Sequence, residues 1–139
     1  MAIFLNNKVG FKIATVNLSD HVTNFQLNRM VDSLEVTAMG DTAHKFVAGL
    51  SADTITVTFL NDTATASVLA TLQDAFGTTV AFAAIQDSGS AVSATNKLYT
   101  GTIFVDNLTD INGAVGDEAT IDITFTCNSK TALATTGTW

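Results

Sequence analysis

Residues Leu34–Leu50, LEVTAMGDTAHKFVAGL, decide how this chain is read. The first half alternates Leu34, Val36 and Ala38 with Glu35, Thr37 and Met39, and a period of two marks a strand with one dry and one wet face. That strand is expected to be half buried. At Gly40-Asp41-Thr42 the alternation stops. His44, Lys45, Phe46 and Val47 then run to Gly49 without a period, too apolar for an idle connection and too irregular for a strand. Residues 40–52 are therefore expected to be a long inter-strand loop with something to bind or cover.

Outward from this stretch, strands dominate. Lys8–Thr15 places Val9, Phe11 and Ile13 on one face, and Val22–Arg29 follows with Phe25 and Leu27 marking its buried side. Asp53–Leu60, DTITVTFL, is the cleanest strand, with Ile55, Val57 and Phe59 against Thr54, Thr56 and Thr58. The period changes after Asn61-Asp62. Either residue offers a side-chain oxygen to the first free amides of a helix over Thr63–Phe76, whose stripe is Ala64, Val68, Leu72 and Phe76 with Leu69 beside it. Gly77 stands where a left-handed residue would end that helix. Strands resume at Thr78–Gln86, at Asn96–Asp106, which is apolar on both faces and so central or covered, and at Ala119–Cys127. Residues 1–7 and 128–139 are expected as arms, the latter ending on Trp139, an anchor for a neighbour or a cover for its own domain.

The pattern implies one domain over residues 1–139, mainly β: an antiparallel β-sandwich or open barrel with one flanking helix. Charged residues are 14% of the chain, below the roughly 25% of an average domain. A surface short of Lys and Glu is expected where protein covers much of the outside. Proline, a common guard of sheet edges, is absent, which leaves edges open to pairing with another chain.

Six basic against thirteen acidic residues give a formal charge of −7, which argues against a high-affinity grip on nucleic acid. Cys127 is the single cysteine, so no intrachain disulfide forms. MAIFLNNKVG lacks a basic leader, and no apolar run is long enough to span a membrane; the expectation is a soluble cytosolic product without membrane insertion. No catalytic or metal-binding spacing occurs. His21 and His44 stand alone, and a calcium loop begun at Asp110 would put Ala114 at its fifth position and Val115 at its sixth, where a ligand and a glycine are needed. The expectation is no enzyme, no cofactor and no metal.

Four features in order resemble the major tail tube proteins of long-tailed, siphovirus-type bacteriophages. They are LEVTAMGDTAHKFVAGL, DTITVTFLND, the helix ending in LATLQDAFGTTVAF, and LYTGTIFVDNLTDINGAVGDEATIDITFTC. The resemblance implies a virion structural protein made in the host bacterial cytoplasm. Six copies would form a ring whose inner sheets join edge to edge, and stacked rings would form the hollow tube through which DNA passes to the host. Partners would be further copies of the chain, the tail tip, tape-measure and terminator proteins, and DNA in transit. By the same resemblance Asp41, His44, Lys45, Phe46 and Val47, with Trp139, would make subunit or ring contacts, Phe46 and Val47 apolar ones and His44 and Lys45 charged ones. Glu35 and Asp122 would face the bore and repel phosphate over a Debye length of roughly 8–10 Å. Two alternatives share the architecture: a β-sandwich binding or decoration module of a virion or cell surface, and the inner tube of a contractile injection system.

Overall fold

The strand Thr54–Leu60 shows how the core forms, because its alternation is obeyed by burial: Ile55, Val57 and Phe59 are wholly buried and Thr56 is exposed. Around it the computed structural model describes residues 7–139. The arm expected over residues 1–7 lies, apart from Asn7, outside the described residues. The elements are β1 (Gly10–Ile13), β2 (Val16–Asn17), β3 (Val22–Asn28), β4 (Val31–Glu35), β5 (Phe46–Ser51), β6 (Thr54–Leu60), α1 (Val68–Ala75), β7 (Thr79–Ile85), β8 (Leu98–Phe104), β9 (Thr120–Cys127) and β10 (Ala132–Ala134).

All pairings are antiparallel, and the main sheet runs β2-β1-β7-β8-β9-β6-β3, with β10 on β8. β8 and β9 share only the pairs Ile103–Cys127 and Phe104–Thr126, and there the sheet turns back on itself. Phe11 and Ile13 of β1 and Phe82 of β7 thereby meet Val57, Phe59, Ile123 and Phe125 of the other half in one buried cluster. The Phe11 ring lies 5.0 Å from Phe25 and 6.2 Å from Phe59, centroid to centroid. Each wholly buried side chain of this size contributes about 1.5–3 kcal/mol through loss of water contact. The two halves do not close. A cleft of about 530 Å³ separates β3 from Val9, Ile85 and Tyr99, so the fold is a β-sandwich or open barrel flanked by one helix.

β1 stops at Ile13 because Ala14 and Thr15, at φ 49° and 71°, make the tight turn into β2. The helix is shorter than its pattern predicts. Asp62 does gather the chain, accepting the Ala64 amide at 2.9 Å and the Ser67 hydroxyl at 2.8 Å, but Ala66 is left-handed at φ 61° and the helix begins only after Ser67. Val68, Leu72 and Ala75 are buried, whereas Phe76 leaves the helix in an extended conformation and is 54% exposed. Gly77 is left-handed at φ 77°, and its amide bonds Val105 O at 2.7 Å, fastening the helix end to the strand layer.

Candidate assembly surface

The strand and loop expected within Leu34–Leu50 both differ from expectation. Strand β4 starts at Val31 and is exposed along its whole length, and Phe46–Ser51, expected to be loop, is strand β5. The connection between strands is residues 36–45. Leu34 lies opposite Val47 and Glu35 opposite Phe46, with a bulge between Val31 and Ser33 bending the root. Alternation in Leu34–Met39 reported two different faces, and neither is covered by the described residues.

The result is a projecting hairpin with an apolar surface. Leu34 is 52% exposed, Phe46 61%, Leu50 80% and Met39 fully. Contiguous apolar exposure on this scale is common at protein–protein interaction sites. Cross-strand pairing sorts the side chains: Leu34 and Val47 share one face, while Glu35, His44 and Phe46 share the other.

Carboxylates organise the tip. Asp41 accepts the Lys45 ammonium at 2.7 Å and the Ala38 amide at 2.7 Å, and these two bonds, Lys45's foremost, hold its carboxyl below the usual range. Glu35 hydrogen-bonds His44 Nδ1 and accepts the Thr37 hydroxyl at 3.0 Å, and that hydroxyl accepts the Lys45 amide at 2.9 Å. The polar ends of His44 and Lys45 are thus bonded within the hairpin, to Glu35 and Asp41. Phe46 and Val47 stay exposed beside them.

At the root, Asp53 is 3% exposed. It accepts the Met30 amide at 3.1 Å and the Thr131 amide at 2.9 Å. Burial alone would raise its pKa, but those bonds and the Arg29 charge outweigh it and hold the carboxyl below its ordinary value. Burial first, and then the charge of Asp53, push the nearby Cys127 thiol up to about 11, so it stays protonated.

The outer face of the β3-β6-β9 layer is polar and carries no cation along its centre. Asn24, Thr58 and Asp122 lie side by side, as do Gln26, Thr56 and Thr124. Thr58 donates to Asp122 Oδ1 at 2.6 Å. Asp122 is therefore exposed on a broad strand face, whereas Glu35 belongs to the hairpin. Trp139 lies on its own chain: Lys12 Nζ sits 4.3 Å from the ring centroid, and a Cβ on Gly10 would come within 2.5 Å of the ring. The expected arm over residues 128–139 is tied down further by β10, which pairs with β8. Among the described residues no three His, Cys, Asp or Glu side chains form a metal cluster, and no helix is long and apolar enough to cross a membrane.

No protein-family model and no curated protein matches the sequence. Solved structures do match. A chain from the virion of a native gene transfer agent particle superposes with a TM-score of 0.76 over 95% of this chain and 99% of its own, at 10% identity. A chain of the SPP1 tail tube gives 0.75 over 94% and 78%, at 11% identity. The protein has the tail tube fold. A chain from the tail of an empty gene transfer agent particle, refined with C6 symmetry, matches that fold too, at a TM-score of 0.63 over 84% of this chain and 83% of its own, with 14% identity.

Against the tail tube fold, the residues that sequence reasoning missed are Met30, Val31 and Leu50 of the hairpin and Asp53 at its root. A signal for the first three was present, because apolar residues here outnumber what one buried strand face requires. Asp53 carried only a weak one, an acid placed directly before the cleanest strand.

Proposed function

We propose that this protein is a structural virion subunit that assembles into stacked hexameric rings, forming the hollow tail tube through which DNA passes. The observation that carries the proposal is the projecting apolar hairpin on a tail tube fold, a surface with no use in a monomer. Two further features support it. Among the described residues β3 pairs only with β6, so its other edge offers main-chain donors and acceptors to an adjacent chain. The polar face bearing Asp122 suits a bore, since its hydroxyls and amides leave phosphate no cation to hold and its carboxylate repels it. In this arrangement Phe46 and Val47 dock on a neighbour, while Asp41, His44, Lys45 and Glu35 hold the hairpin in shape. Tail tip, tape-measure and terminator proteins would complete the set of partners.

Electron microscopy of the purified protein over a range of concentrations, with light scattering for mass, tests this. Hollow tubes or sixfold rings are the expected outcome. A species that stays monomeric at every concentration overturns the proposal.

A further inference from the structure

Two features lie at opposite ends of the β6-β9 ladder. At the Thr54–Thr126 end, below the hairpin, is a cleft of about 340 Å³ walled in part by Met30, Val31 and Ala48, with Arg29 and Lys130 also lining it. Both cations are exposed, and among the described residues no ion pair joins either. Asp53, also in the lining and bonded to the Met30 and Thr131 amides, sets one negative charge against these two cations, so the cleft keeps a net positive charge.

At the other end, where Leu60 pairs with Thr120, the chain from Asp106 to Ala119 carries Asp106, Asp110, Asp117 and Glu118 and no basic residue. It runs along β9, with the Asn107 side chain bonded to Thr124 O and the Asn112 side chain to Thr120 O. Its tip is a tight turn: the Asp117 amide bonds Ala114 O at 3.1 Å, and Gly116 is left-handed at φ 90°. Val115 stands at the apex, fully exposed, and Ile111 is 93% exposed.

We infer that this loop is a plug for the cleft of a second copy, with Val115 seated against Met30 and Val31 and Asp117 and Glu118 paired with Arg29 and Lys130. The charges are complementary and both partners carry exposed apolar surface. The seven-residue ladder between them spans roughly 20 Å, so a chain cannot fill its own cleft. A contact between opposite ends is head to tail and repeats from copy to copy. The inference rests on the tube reading and names the joint that would propagate it.

The test is charge reversal read by sedimentation of assembled protein. The pair R29E/K130E and the pair D117K/E118K should each raise the concentration needed for assembly by roughly tenfold or more, since facing charges become alike. Thermal melts check that each variant is folded. The fourfold variant, with both ends reversed, should assemble again because the pairing is restored with opposite polarity. Assembly indifferent to the reversals, or blocked by them without recovery in the fourfold variant, overturns the plug and cleft while leaving the tube reading standing. Wild-type protein that never assembles overturns the tube reading and this inference with it.

Discussion

Asp53 holds Met30 across the root of the hairpin: a buried carboxylate oxygen accepts the Met30 amide at 3.1 Å, while its second oxygen takes the Thr131 amide at 2.9 Å. One side chain thus joins the point where β3 becomes β4 to the segment leading into β10. The backbone repeats the tie, with Ala52 N bonded to Met30 O at 2.8 Å and Cys127 N to Asp53 O at 3.0 Å. Among the described residues the hairpin is exposed along its length and fixed at its base.

Asp53→Asn should therefore loosen the base. The amide can replace one acceptor but turns an N–H toward an N–H at the other, at a cost of about 2–3 kcal/mol. A melting temperature lower by roughly 5–10 °C at neutral pH is expected. Because the folded carboxyl titrates below its ordinary 3.8, the unfolded chain binds the proton more readily. The wild-type advantage is then complete above that value and lost as pH falls through the folded pKa. Melts at neutral pH and at about pH 3 should show the gap between the two proteins narrowing. A constant gap would mean that the carboxylate charge is not what fastens the root.

Phe46→Asp and Val47→Asp together should abolish assembly while leaving the monomer folded. Both side chains are about half exposed or more, so the folded monomer should change by no more than about 0.5–1 kcal/mol. The two point to opposite faces of the hairpin, so the single variants report which face docks. Normal tubes from the double variant would remove the hairpin from the assembly contact.

The same two residues show where sequence was legible. In DTITVTFL, alternation and burial coincide because the dry face meets its own core. In Leu34–Met39 the alternation is just as regular, yet it lies on a surface that the described core does not cover, and periodicity does not say what covers a face. FVAGLS, in β5, has no period because both of its faces are offered outward and Gly49 lies against the Asp32 backbone and the Leu34 side chain. The helix start misled for a different reason. Asp62 does cap a turn, but left-handed Ala66 delays the helix to Val68. The nearness of Arg29 to Lys130 comes from pairing among β3, β6 and β9 and had no local trace.

The turn between β1 and β2 is unfavourable and can be improved. Ala14 and Thr15 both have positive φ, where a Cβ costs roughly 1–2 kcal/mol per residue and where Asn-Gly is the preferred pair. Ala14→Asn with Thr15→Gly should raise stability by about 1–2 kcal/mol, read as a higher urea midpoint with an unchanged slope. No gain, or a loss, would indicate that the Ala14 amide bond to Ala81 O, at 2.9 Å, already fixes this turn.

Asp122→Lys tests the bore. The residue is exposed on the face it shares with Thr58 and Asn24, and its replacement leaves the buried side of β9 untouched, so tubes should still form. If this face lines the channel, each ring gains a circle of cations in place of carboxylates. Double-stranded DNA should then be retained in nuclease-resistant form, and retention should fall steeply between about 50 and 200 mM salt as counterion release weakens. Glu35→Lys, on the hairpin, should give no protected DNA. Protection by the hairpin variant and none by Asp122→Lys would assign the bore to the opposite surface, because only DNA held inside the wall escapes the nuclease.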